Sequence, residues 1–291
     1  MTEKPLRIQV IPAISAIYFA LLQTGYDYYR LEKTDDLIGQ LSAFQSARQG
    51  YPFFRSVKQR TCEVYPYWPR AAILETATFY IDLANDRFHD LNKFKAVIMS
   101  ANNLREDERD EALWNWIAAF PTALKRISLD KGFQDYLKWE QNWAVQQNHI
   151  YAEELRALQK RLRLCAERYG SPITGVRIVL DPIKCAYSSD HHFFENELIV
   201  CSGTFDAESV IHESIHPIVH NIITDHQETI LGYDLSDLGV DRSYYLTGDA
   251  AGRLNAFEEY FVRALTAEIS ADTPPKNLPA FLEQTLAALR K

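Results

Sequence analysis

The sequence predicts a predominantly helical α+β protein, with a small sheet packed beside two helices that carry its histidines and acids and a helical N-terminal lobe ahead of them. Three observations predict this class. Apolar residues recur at helical spacing through most of residues 13–170. Two short β-branched runs then appear, GVRIVLDP (175–182) and NELIVCSG (196–203), each bounded by Gly, Pro, Asp or Ser. Helical periodicity returns in VIHESIHPIVH (210–220) and in LTGDAAGRLNAFEEYFVRALTAEIS (246–270).

Taken in order, RIQVI (7–11) reads as a strand, and Ile14, Ile17, Ala20 and Leu21 then share one helical face. Leu37, Leu41 and Phe44 repeat that spacing. The segment 51–70 is broken by Pro52, Pro66 and Pro69 and reads as an aromatic-rich connection. An amphipathic helix resumes over 71–86. A long helix is expected over 133–170, with Trp139 and Trp143 four apart on one packing face, and Gly170-Ser171-Pro172 stops it. The organisation expected is therefore a mainly helical lobe over 1–170 and a second lobe over 171–291.

In that second lobe the two β-branched runs are expected as sheet neighbours, and Asp206 as the N-cap of the helix that follows, with Glu208 in its first turn. His191 and His192 lie between the runs. Adjacent side chains on an extended chain face opposite ways, so they do not converge on an ion and a loop or surface role is expected.

A chain of 291 residues, 47% of them hydrophobic, is long enough to bury a sizeable core. The net charge of −8 leaves no surplus of Lys and Arg, which argues against nucleic acid and anionic membrane as partners. The cysteines, Cys62, Cys165, Cys185 and Cys201, are dispersed without a C-x-x-C pair and read as reduced thiols. IPAISAIYFALL (11–22) follows Lys4 and Arg7 as the core of a secretion signal would. It lacks a small-residue cleavage site, and a cytoplasmic protein is the expectation.

Chemistry concentrates in HESIH (212–216). His212 and His216 are one helical turn apart, so their imidazoles rise on the same face and can converge on one ion. Glu213 stands at the edge of that sphere, where it can take a proton from an attacking water. Ile211, Ile215, Ile218 and Ile222 form a separate stripe that seats the helix in a core.

A tetrahedral zinc site needs a third protein ligand. His220 lies about 12 Å along the axis from His212, too far for both to touch one ion unless Pro217 bends the helix. The metzincin arrangement is absent, because Val219 and Ile222 stand where its Gly and third His belong. The later helix offers two adjacent acids, Glu258 and Glu259, in the middle of a segment whose Leu254, Phe257, Phe261 and Leu265 share an apolar face. Glu259 and Arg263 also have ordinary ion-pair spacing.

HESIH followed by a glutamate on a later helix resembles the gluzincin zinc metallopeptidases, the broad thermolysin-like group. The resemblance implies His212, His216 and Glu259 as ligands of one zinc ion, Glu213 as general base, and residues 171–291 as the catalytic lobe. It covers about residues 175–270. The gap from His216 to Glu259, 43 residues, is longer than in the best-known members, and Arg263 replaces the Asp that the thermolysin pattern places four after the ligand.

The function expected is zinc-dependent hydrolysis of a peptide or protein substrate. Tyr244, Tyr245, Tyr260 and His220 are candidates to stabilise the developing oxyanion, with Tyr244 and Tyr245 preferred because they precede the second helix. A substrate strand would add to the edge formed by 196–200 or 185–192. The alternatives are a helical binding protein with a structural or vestigial metal site, and a zinc amidase or esterase.

Overall fold

A four-stranded sheet forms the middle layer of the molecule and decides which side chains reach the site. The computed structural model describes residues 5–46, 51–59, 71–100, 111–240 and 249–289. The strands of the sheet are β1 (Ile8–Gln9), β4 (Gly175–Leu180), β5 (Ser189–Phe194) and β6 (Glu197–Ser202), in the order β1-β4-β6-β5. A small hairpin pairs β2 (Ile81–Asp82) with β3 (Arg87–Phe88). In the main sheet β1 and β6 flank β4 in parallel, and β5 runs antiparallel to β6 as the outer strand.

The helices are α1 (Pro12–Gln23), α2 (Asp35–Phe44), α3 (Pro52–Gln59), α4 (Ala71–Thr78), α5 (Leu91–Ser100), α6 (Glu111–Ala118), α7 (Phe120–Ser128), α8 (Lys131–Ile150), α9 (Ala152–Tyr169), α10 (Ala207–Asp225), α11 (Gln227–Leu231), α12 (Ala250–Ser270) and α13 (Leu278–Ala288). The predominantly helical α+β class is the one observed. Among the described residues no helix is long and apolar enough to cross a membrane.

Alternation along the strands splits the core in two. Val179, Ile199 and Cys201 face a cluster built from α1, α4, α7 and α8, with Ile17, Leu21, Leu74, Phe120 and Phe133 fully buried. Ile178, Leu180, Leu198 and Val200 face the opposite cluster, with Leu158 of α9, Ile211 and Ile215 of α10, and Phe257 and Phe261 of α12. Each such side chain contributes about 1.5–3 kcal/mol by leaving water. Two lobes divided near residue 170 are the expectation. The two core clusters lie on opposite faces of the sheet, and β1, Ala144 and α9 from the N-terminal segment contribute to its edge and its second face.

Three local expectations are corrected. Residues 52–59 form a helix rather than a connection: proline is compatible with the first helical position because that N–H needs no partner, and Phe54 and Val57 give the helix a buried face. Residues 60–70 lie outside the described residues. The long helix expected over 133–170 is two, broken at Tyr151, whose φ of −94° and ψ of 16° end α8 and start α9. No Gly or Pro marks that break. Tertiary packing does, with the Tyr151 ring 4.8 Å from Phe205. Finally, 71–86 is helical only to Thr78, and the hairpin strand β2 follows.

Other expectations hold. Gly170 ends α9 with a φ of 73°, a conformation that costs glycine little. Trp139 and Trp143 stack at 6.5 Å and pack against the two clusters. Cys165, Cys185 and Cys201 are free and buried, and Cys62 lies outside the described residues.

Candidate metal centre

Both site helices begin on aspartate caps. The Asp206 carboxylate accepts from the Glu208 and Ser209 amides at 3.0 and 3.3 Å, and Asp249 accepts from Gly252 at 3.0 Å. Each cap contributes about 1 kcal/mol and fixes where its helix enters. The helix α10 then seats Ile211, Ile215 and Ile218 in the second core cluster, and α12 packs along it through Phe257 and Phe261. With the apolar stripes committed to the core, His212 and His216 are turned toward the seam between the two helices.

Three donor atoms meet there. His212 Nε2 lies 3.3 Å from His216 Nε2, and Glu259 Oε2 lies 3.4 and 3.6 Å from the same two atoms. Ligands held tetrahedrally at 2.0–2.1 Å from zinc stand about 3.3–3.4 Å apart, so the triangle has the size a zinc ion requires. It is the one group of three such donors found among the described residues. Neutral imidazoles and a carboxylate aim lone pairs at one another in such a triangle, and only a proton or a cation between them relieves the repulsion.

The surroundings fix the orientation of each of these side chains. His216 Nδ1 lies 3.1 Å from Glu258 Oε1, so an Nδ1–H donated to that carboxylate leaves the Nε2 lone pair for the triangle. The other Glu258 oxygen accepts from His220 Nδ1 at 3.0 Å. Glu259 Oε1 accepts from Arg263 Nε at 2.6 Å, which turns Oε2 inward. Glu259 thus keeps its ion pair through one oxygen and leaves the other in the triangle. His220 stays outside the triangle, as the helix rise requires, with its side chain 68% exposed although α10 continues through Pro217.

Charge at the site follows from these contacts. Burial alone would lower the His216 pKa, but hydrogen bonds to Glu258 and Glu259 and the charge of Glu213 outweigh it and raise it to about 9. Burial would raise Glu259, yet hydrogen bonds from His212, His216 and Arg263 hold it far below the usual carboxylate range. Glu258 is held down in the same way by His216 and His220. Glu213 goes the other way: burial raises it more than the neighbouring imidazoles lower it. A raised pKa makes this carboxylate a stronger proton acceptor than an ordinary glutamate.

The structure corrects the expected loop or surface role for His192, which is buried, whereas His191 keeps an exposed side chain on a strand rather than in a loop. Both lie on β5 and face opposite sides of the sheet, opposite Val200 and Ile199 respectively. His191 comes to the site, its Nδ1 3.1 Å from Glu213 Oε2. His192 is buried on the far face, where its Nε2 lies 2.7 Å from Glu75 and its Nδ1 2.9 Å from Thr76. Strand alternation in SDHHFF separates this pair, and only the packing of the sheet shows which of the two faces α10.

Tyr244 and Tyr245 lie outside the described residues. Tyr260 packs its ring 6.2 Å from Phe257 and is taken up by the second core cluster. Comparison of the chain with known protein families, with curated proteins and with solved structures finds no match.

Proposed function

We propose that this chain is a zinc-dependent hydrolase acting on peptide bonds, with His212, His216 and Glu259 holding one zinc ion. The observation that carries the reading is the triangle of donor atoms with edges of 3.3, 3.4 and 3.6 Å, matched to tetrahedral zinc and set beside the half-buried carboxylate of Glu213. Zinc bound there supplies a Lewis acid for a water and for a scissile carbonyl. Glu213 accepts the proton of the attacking water and passes it to the leaving nitrogen, a role its raised pKa supports.

The sheet edge supports a peptide as the substrate. Gly203 N donates to Ser188 O at 3.1 Å, which continues the β5–β6 ladder. By the alternation of an antiparallel pair, residues 190, 192 and 194 bond to β6, while Ser189, His191 and Phe193 direct their N–H and C=O groups to the open side. Those three residues also carry the side chains on the α10 face. A substrate strand lying antiparallel along β5 would take up these groups and pass beside Glu213.

The test is metal analysis of protein purified without chelators, together with Glu213→Gln assayed on a peptide library. One zinc per chain and loss of hydrolysis in Glu213→Gln with zinc retained are the expected results. Absence of stoichiometric zinc, or wild-type hydrolysis in the variant, overturns the reading.

A further inference from the structure

Glu213 Oε2 is buried and has no hydrogen-bond partner, an uncommon state for a carboxylate oxygen. The nearby polar atom is His191 Nδ1 at 3.1 Å, close enough to bond but not aligned to do so. His191 makes no other polar contact among the described residues. A donor without an acceptor thus stands against an acceptor without a donor, and a small rotation of the imidazole joins them.

The imidazole is held in this place from both ends. On its own face, Phe193 packs edge-on against the ring, with centroids 6.0 Å apart. On the opposite face, the residues on either side of it in β5 are anchored in a buried polar network. Asp190 pairs with Lys184, whose Nζ also donates to Tyr18 at 2.7 Å and to Glu75 at 2.8 Å. His192 joins the same Glu75 and Thr76. The network fixes the backbone on both sides of residue 191, and strand alternation then leaves His191 one direction, toward α10.

We propose that His191 is the positioning residue of Glu213, donating its Nδ1–H to Oε2 so that Oε1 is aimed at the attacking water. The inference rests on the proposed function, because it assigns a partner to the base named there. The imidazole acts in its neutral Nδ1–H form, and its Nε2 stays at the cleft, where the side chain is 44% exposed. His191 neither binds the ion nor transfers the proton; it removes the rotational freedom of the carboxylate that does.

The test uses the zinc-loaded full-length chain and acetohydroxamic acid, which gives its hydroxyl proton to the base on binding, so no substrate need be known. Asn places an amide N–H near the position of Nδ1, and Gln places it near Nε2. His191→Ala and His191→Gln are expected to weaken acetohydroxamate binding about tenfold, the scale on which such supporting partners act, while His191→Asn stays within about twofold of wild type. Zinc content and melting temperature are measured for each variant. Equal affinity in all three variants, whether unchanged or equally weakened, overturns the inference. Glu213→Gln separates the two levels of argument. If that variant binds zinc and acetohydroxamate as wild type does, the assignment of the base fails; if it weakens binding and His191→Ala does not, only the role of His191 fails.

Discussion

His216 and Glu258 meet across two helices, Nδ1 to Oε1 at 3.1 Å, while Glu258 holds His220 with its other oxygen at 3.0 Å. One carboxylate thus fixes the tautomer of a proposed ligand histidine and ties α10 to α12 at the site. Glu258→Gln keeps the shape but weakens the acceptor, and zinc affinity is expected to fall about 10–100-fold in competition with a chelator. His220→Ala, at an exposed side chain, is expected to change it by less than about threefold.

Glu259 and Arg263 give a paired prediction. Glu259→Gln removes the third ligand charge, and stoichiometric zinc is expected to be lost on dialysis. Arg263→Ala leaves Oε2 in place and removes the bond that turns it inward. Its zinc affinity is expected to fall about tenfold, as for loss of an outer partner. Zinc content after dialysis against a weak chelator measures both.

If zinc binds as proposed, it competes with a proton at His216. In the ion-free protein its pKa is raised to about 9, so binding at neutral pH displaces a proton. Zinc affinity is expected to rise about tenfold per pH unit up to about 9 and then to level off. Stability of the ion-free fold runs in the opposite sense. The raised pKa contributes stability fully below about 6.5, the ordinary histidine value, and that contribution is lost as pH rises through about 9. Zinc titrations across this range, and melting of chelated protein with His216→Ala as control, check both directions.

Lys184 is buried against Glu75 and Asp190, with Tyr18 completing its contacts. Lys184→Met leaves two acids buried without their cation, and a loss of about 3–5 kcal/mol is expected in denaturant unfolding. If His191 depends on this network, any folded fraction also binds acetohydroxamate more weakly at full zinc occupancy.

Gly203 lies where the chain leaves β6 for α10, and a Cβ there would fall 2.1 Å from the Cys185 carbonyl oxygen. Backbone meets backbone at this point, so neither side can yield by a side-chain rotation. Gly203→Ala is expected to destabilise by about 1–3 kcal/mol or more in thermal unfolding.

Much of the site was legible because it obeys local periods. The four-residue spacing of His212 and His216, the isoleucine stripe beside them and the Asp206 cap are properties of one helix. The exclusion of His220 is equally local, a matter of rise per residue. That 175–180 and 197–202 are sheet neighbours was legible in two short β-branched runs, whereas their parallel direction was not. Less was legible where polarity hid an element. The strand SDHHFF is hidden because its buried polar groups are satisfied by Lys184, six residues back, and by Glu75 and Thr76, more than a hundred residues away. The break at Tyr151 is hidden for a related reason: nothing in 133–170 opposes helix, and packing against Phe205 decides it.

The sequence by itself determined the fold class, the face on which the two histidines stand and the pair of acids that could complete their site. Only the tertiary structure decided that Glu259 Oε2 enters the triangle, that Glu258 turns outward to His216 and His220, and that the partly exposed His191 lies against Glu213. The physical reason is range. Helical and strand periods fix a side chain's direction relative to its own element, whereas the meeting of residues tens of positions apart depends on how helices seat on a sheet and on strand register. Those are set by the two apolar cores on either side of the sheet, and the polar site forms where those cores leave α10, α12 and β5 facing one another.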